Sequence, residues 1–313
     1  MEALSQVLSQ VFSAAYVASA IRLATPILLA ALGAIFTDRA GIMNLNLEGT
    51  MLAAALGAVL GSYYTGANVW IGLLVGVAVG AGISAIFAYV GIYLKANMVL
   101  AATALNMTVN GFTIYLLYTV AGEKGTSVNM KSGKLPQINI PVIKDIPVLG
   151  EIVSGHGMLT YVCLIAIFVA SFILFKTAIG LRIRAVGESP EAAESVGINV
   201  KIIQFWAVVI CGTFASLGGI HLSMSYLSWF QREMTAGRGY IALAAMTLGN
   251  STPIGTMIAA FLFGMAEALG NVLQALKFPP QFVLCLPYVA TLIGLVVIAI
   301  RKQAKIKKAQ ANR

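Results

Sequence analysis

Residues Ile202–Phe230 read IIQFWAVVICGTFASLGGIHLSMSYLSWF, without one Asp, Glu, Lys or Arg. A helix needs about 20 largely apolar residues to cross a bilayer, and this run supplies them. Val69–Leu94, Met98–Gly122 and Met158–Phe175 are uncharged runs of the same kind. Leu23–Thr37 is shorter and extends backwards past Arg22, and Phe278–Ile300 closes the series. Gly49–Gly66 and Gly239–Ala266 are apolar but interrupted, the second by Gly249-Asn250-Ser251-Thr252-Pro253. That breaker predicts a short helix Tyr240–Leu248, a turn, and a second helix from Ile254 to about Gln274. Short, broken helices in a membrane survive where they face protein or a watery cavity.

Composition agrees. The chain is 59% hydrophobic and 10% charged, against about 25% charged in ordinary soluble domains. That is too little charge to coat a surface in water, so the expected solvent is lipid and residues 1–313 form one membrane domain. The opening MEALSQVLSQVF has no basic region and no small-residue cleavage site, unlike a cleaved signal peptide. Its Ser5, Gln6, Ser9, Gln10 and Ser13 share one helical face and suit the membrane interface. Cys163, Cys211 and Cys285 stand singly in apolar runs, as buried small hydrophobes rather than disulfide or metal partners.

The net charge of +9 is uneven. Arg301, Lys302, Lys305, Lys307, Lys308 and Arg313 fill a tail without acids, which reads as cytoplasmic. It lacks the interleaved aromatics of a nucleic-acid binder. With the tail and Ile179–Val200 inside, the polar 123–157 loop with Pro136, Pro141 and Pro147 lies outside. Crossings then number about nine, within about eight to ten, with the N-terminus outside, although Lys124, Lys131, Lys134 and Lys144 in that loop oppose the charge bias. The expected organisation is a first half 14–122, an extracellular loop 123–157, a connecting span 158–179, a cytoplasmic segment 180–200, a second half 201–300 and a tail 301–313. The fold class is all-α, a polytopic membrane helix bundle. Each half begins with a long helix, a loop and a short helix, and the long helices run oppositely, which is the pattern of inverted repeats. Gly72, Gly76 and Gly80, and Gly57 with Gly61, form small-residue ridges for close helix packing.

Two groups of residues are candidates for function. In GLRIRAVGESPEAAESVGINV, Gly180–Val200, Arg182 and Arg184 close the preceding helix, where cations suit its dipole. Ser189 caps a short helix with Pro190 at its first position and Glu191 and Glu194 in its first turns, and Gly197 stops it. Such a helix is either a docking element for a cytoplasmic partner, with Glu188 beside it, or a connector. The second group is polar and lies in or beside apolar spans: Asn44, Asn46 and Glu48 before the first short helix, Asn106 with Asn110, and Glu267 with Asn271. The last two pairs are four residues apart, hence on one helix face. Amides and hydroxyls suit a neutral hydrogen-bonding solute; the alternative is bonding between helices, worth about 0.6–2 kcal/mol per contact. Trp70, Tyr226 and Trp229 fall at span edges and read as interfacial anchors.

Three stretches, in this order, carry a family resemblance: TDRAGIMNLNLEGTMLAAALGA (Thr37–Ala58), the Gly180–Val200 segment, and GRGYIALAAMTLGNSTPIGTMIAAFLFGMAEAL (Gly237–Leu269). The chain resembles the permeases of branched-chain amino acid, simple-sugar and nucleoside ABC importers, and the DRAGIMNLNLEG form is most similar to the nucleoside branch. The resemblance implies a complex in the plasma membrane of a prokaryote. It comprises a second permease of different sequence, ATP-binding subunits that carry ATP and Mg, and an extracellular solute-binding protein. Gly180–Val200 would be its coupling segment. The chain has no G-x-x-x-x-G-K-[ST] phosphate loop, so it binds no cofactor itself. A simple-sugar permease is the alternative within the class. A stand-alone secondary transporter would need a titratable relay in the membrane, and Arg22, Glu48, Glu267 and His221 are a thin supply. An intramembrane enzyme lacks any nucleophile–base or metal constellation.

Overall fold

The computed structural model describes residues 13–130, 132–141 and 149–275 and the single positions 289, 294 and 296. The first twelve residues, the tail 301–313, Cys285, Lys131, Lys144, Pro147 and, but for those three positions, the expected span 278–300 lie outside the described residues.

The chain is a helix bundle. Its elements in order are α1 (Ala14–Arg39), α2 (Leu47–Tyr64), α3 (Val69–Ala88) and α4 (Met98–Ala121), then α5 (Leu149–Val153), α6 (Met158–Lys176), α7 (Ala178–Glu188) and α8 (Pro190–Ser195), and finally α9 (Val200–Ile220), α10 (Arg238–Leu248) and α11 (Pro253–Ala275). A π turn, Tyr89–Tyr93, extends α3, and a second, His221–Tyr226, extends α9. Among the described residues the departures from all-α are a two-residue pairing of β1 (Gln137–Ile138) with β2 (His156–Gly157) in the long loop and an isolated bridge between Thr126 and Gln231. Six described helices, counting each π turn with its helix, are long and apolar enough to cross a membrane: α1, α3, α4, α6, α9 and α11.

α1 is the central rod. Every residue from Leu23 to Thr37 is buried, so it is apolar all round, as a helix enclosed by others must be. It is flanked by α2, α6, α9, α10 and α11. Close approach comes from the small residues. Gly33 faces the backbone of Cys211, Gly218 the carbonyl of Pro26, and Gly219 the backbone of Met51. The ridges interdigitate: Gly57 and Gly61 of α2 receive Val79 and Val75, while Gly72, Gly76 and Gly80 of α3 lie against α2 and α9. The outer faces are apolar and bare, with Met107 78% and Phe168 77% exposed, as lipid or a partner subunit requires.

The bundle has two ends. At one, the C-terminus of α1 meets α7 and the α10–α11 break; this is the Arg39 end. At the other, the start of α1 meets the 123–157 loop and the π turn of α9; this is the Arg22 end. The interrupted helices form as expected, α10 starting two residues earlier than the periodicity suggested. One local reading is corrected. Arg182 and Arg184 do not close the preceding helix, because α6 stops at Lys176 and Thr177 caps a new helix, α7, accepting a hydrogen bond from Gly180 N. Both arginines sit inside α7. The 180–200 segment is therefore two helices, of which α8 has the expected cap, with Ser189 Oγ accepting from Ala192 N, and the expected stop at Gly197 at φ +82°.

Candidate functional site

α2 and α10 begin head to head. Glu48, in the first turn of α2, reaches across so that its carboxylate accepts from Gly237 N at 2.9 Å and Gly239 N at 2.8 Å. One negative charge thus serves the positive ends of two helix dipoles and bonds amides at the start of α10 that have no partner within the helix. Gly237 adopts φ +79°, which costs a glycine little. Gly239 must be glycine for space, since a Cβ there would press on the Glu48 backbone. α10 has eleven residues, so roughly 16 Å of helix separates the junction from the Arg39 end.

Asn106 of α4 clamps the same junction. Its Oδ1 accepts from Gly49 N at 2.9 Å, and its Nδ2 donates to Leu45 O at 3.0 Å and to Tyr240 Oη at 3.1 Å. Beneath it Arg238 pairs with Glu267 of α11, and their side chains are only 14% and 17% exposed. Arg238 also donates to Met234 O at 3.0 Å. Removing either partner of such a largely buried pair would leave the other charge poorly solvated. Asn110 donates to Glu233 Oε1 at 3.4 Å.

The structure thus brings Glu48, Asn106 and Glu267 to one junction, with Asn110 a turn further along α4. Asn46 is buried below it, its backbone N bonded to Asn44 Oδ1 at 3.0 Å and its Nδ2 to Thr50 Oγ1 at 3.3 Å. Asn44 is tied to Cys211 Sγ at 3.4 Å and borders a cavity of about 410 Å³ at the Arg39 end with Asp38 and Thr247. Asn271 stands apart, lining a cavity of about 350 Å³ at the Arg22 end. Arg238, Tyr240 and Glu233 were not singled out from the sequence. A lone arginine between two glycines at the mouth of an apolar run was the available signal for Arg238.

The α10–α11 break does not meet the Asn44–Glu48 loop, as broken helices sharing a midplane site would. It packs on the end of α1. Arg39 Nε and Nη2 donate to Ser251 O at 3.1 and 3.0 Å, Nη2 also lies 3.4 Å from Asn250 O, and Ser251 Oγ donates to Asp38. The partner of the 40–48 loop is instead the Gly237 turn. Pro253 follows two left-handed residues, Asn250 (φ +52°) and Ser251 (φ +50°), and this reversal leaves carbonyls that only a long donor such as Arg39 can reach. Arg39 in turn backs onto α7: a Cβ at Gly187 would collide with the Arg39 carbonyl.

On α7 and α8, Arg182, Glu188, Pro190, Glu191, Glu194 and Gly197 are exposed, while Arg184 is half-buried with its guanidinium 5.3 Å from the Phe175 ring centre. Buried His156, in β2, approaches Ile152 O at 2.7 Å through Nε2. Burial pushes its pKa below the ordinary value, helped by the positive charge of Arg22 and opposed by the Ile152 bond.

A bundle of apolar helices with bare outer faces and a polar junction of helix ends inside it is the architecture of a membrane-embedded protein. The family model described as branched-chain amino acid transport system / permease component matches residues 16–301, and the chain belongs to that family. It is 37% identical over 286 residues to the guanosine ABC transporter permease protein NupQ of Bacillus subtilis (strain 168), covering 87% of this chain and 88% of NupQ. It is 32% identical over 289 residues to the nucleoside ABC transporter permease protein NupC of Lactococcus lactis subsp. cremoris, covering 89% and 90%. A Haloferax volcanii protein assigned as a glucose ABC transporter permease, TsgC13, is 34% identical over 270 residues, covering 85% and 80%. A solved structure assigned to the metal-chelate type of ABC transporter superposes with TM-score 0.50 over 91% of this chain and 85% of that chain at 13% identity, which shows a shared fold. The chain is a multi-pass membrane permease subunit, not an enzyme, and works with ATP-binding subunits and a partner permease.

Proposed function

We propose that this chain forms part of the path by which an ABC importer takes up nucleosides. The observation that carries the reading is 37% identity to NupQ over 87% of this chain, supported by the polar junction of helix ends around Glu48 and Asn106. The Arg39 end is cytoplasmic and the Arg22 end extracellular. Crossings number about nine, arranged as inverted repeats. Glu48, Asn106, Asn110 and Glu267 border the path at mid-depth, with Asn44 and Asn46 toward the cytoplasm and Asn271 toward the outside. α7 and α8 dock the ATP-binding subunits through Arg182, Arg184, Glu188, Pro190, Glu191, Glu194 and Gly197. A solute-binding protein delivers substrate from outside, the second permease is a different chain, and ATP and Mg stay on the partner subunits.

The contacts also suggest how docking reaches the path. α7 presses on Arg39, Arg39 holds the α10–α11 break, and α10 carries that position to the Glu48 junction. Uptake competition in proteoliposomes tests the reading. Labelled inosine uptake should depend on ATP, persist with a protonophore, and be competed by unlabelled nucleosides but not by glucose. Competition by glucose alone would favour the sugar reading instead.

A further inference from the structure

Away from the Glu48 junction, buried polar groups without partners gather in one place. His221, Ser223 and Ser225 are 2%, 0% and 8% exposed, and neither the ring nitrogens of His221 nor the two hydroxyls reach hydrogen-bond geometry with any described residue. The His221 ring lies within weak bonding reach of the Arg22 carbonyl, which lost its helix donor because position 26 is proline, so the unmet need rests on Ser223, Ser225 and the other ring nitrogen. All three residues belong to the π turn, and such turns are rare and concentrate at functional sites. The wide turn brings His221, Ser225 and Tyr226 together onto a cavity of about 140 Å³ also lined by Arg22, Lys134 and Gln137. Gly157 keeps that wall open, since a Cβ there would lie 2.8 Å from Ser225 Oγ.

Unpaired polar groups inside a membrane protein are costly, so something polar belongs in this space. Water answers part of that need, but the lining is one-sided. Arg22 and Lys134 can only donate, and no carboxylate among the described residues lines the cavity. Arg22 gives Nε to Ala18 O at 3.4 Å, leaving its terminal nitrogens to point elsewhere. Arg22 and Tyr226 also line the adjoining 350 Å³ cavity with Ser19 and Asn271, so the two spaces together reach the size of a small-molecule pocket. The Tyr226 ring, 44% exposed, stands where they join.

We propose that these two cavities form a subsite for a purine nucleoside at the Arg22 end, with Arg22 holding the acceptor edge of the base and Tyr226 stacking on its face. The subsite rests on the nucleoside reading above. A guanidinium fork matches the paired O6 and N7 acceptors of a 6-oxopurine, whereas uridine separates its two carbonyl acceptors by an N–H donor. His221 and Ser225 take the remaining polar groups. Tyr226 is then a binding residue and more than an interfacial anchor.

The test uses the assembled complex in nanodiscs, without ATP or binding protein, and saturation-transfer NMR with inosine, uridine and, by phosphorus NMR, inorganic phosphate. Inosine should bind the wild type better than uridine does. Arg22→Gln should weaken inosine binding about tenfold, the loss expected of one bidentate pair, and leave uridine unchanged. Ser225→Val, which fills the cavity with methyl groups, should weaken inosine binding while the complex still elutes as one assembled species. Wild-type inosine binding in both variants, or contact with phosphate alone, overturns the subsite. Inosine uptake by wild-type proteoliposomes separates the failures: uptake with unaffected variants sinks only the subsite, whereas absence of uptake sinks the nucleoside reading itself.

Discussion

At the Arg39 end the guanidinium commits its donors to Ser251 and Asn250, Ser251 closes on Asp38, and Gly187 seats α7 against the same backbone. At the Arg22 end the guanidinium makes one long bond to Ala18 among the described residues, and three buried residues of the π turn beside it have polar atoms unpaired within the described residues. Both ends carry an arginine on the same helix, yet one is built as a joint and the other as an open receptacle. A cluster whose donors are engaged across three elements transmits displacement between them. An unsaturated one can accept a ligand because its polar groups have no internal partners to give up.

The largest effect tests the ion pair between the two ends. Arg238→Ala strands the Glu267 carboxylate in a site 17% exposed, and should cost about 3–5 kcal/mol of stability, the usual penalty for breaking a buried pair. Thermal unfolding of the purified complex measures it. The double variant Arg238→Met with Glu267→Met should regain most of that loss without regaining transport. Recovery of both would reduce the pair to packing.

Arg39→Ala addresses the joint. It removes charge-assisted bonds worth roughly 1.5–3 kcal/mol, so transport per ATP hydrolysed should fall about tenfold while ATP hydrolysis continues. A parallel fall in hydrolysis would mean that the joint only supports assembly. Gly187→Ala should cost about 1–3 kcal/mol through overpacking against the Arg39 carbonyl, seen as a lower Tm, with no such change for alanine at Gly82, where a Cβ meets nothing. Smallest is a pH effect at the Arg22 end. His156 has a lowered pKa when folded, so its contribution is complete above the ordinary histidine pKa near 6.5 and is lost as pH falls below it. His156→Gln should flatten the acid side of a stability–pH curve; an unchanged slope would show that His156 does not set it.

Much of this was readable in the sequence, for identifiable reasons. Uncharged runs such as Ile202–Phe230 locate spans because lipid tolerates little else. The Ser189-Pro190 start and Gly197 stop of α8 are local chemistry. Candidates such as Glu48, Asn106 and Glu267 stood out as polar groups in or beside apolar helices. Their partners did not. Glu48 bonds Gly237 and Gly239 across 189 and 191 residues of chain, and no periodicity encodes a contact between two helix starts. The break at Gly249–Pro253 was visible as a break, but its attachment to Arg39, 212 residues earlier, depends on how the helices stack. The π turn was invisible, since HLSMSY continues an apolar run and the extra residue per turn leaves no mark in composition.

Between the two ends α10 is a stiff rod roughly 16 Å long. With the Arg39 end as fulcrum, a tilt of about 10° would swing the Gly237 tip by about 3 Å, more than the whole length of its bond to Glu48 could absorb. A tilt of that size would break the bond unless α2 moved with α10. A lever with a latch has two resting positions, and a permease that opens to one side at a time requires two.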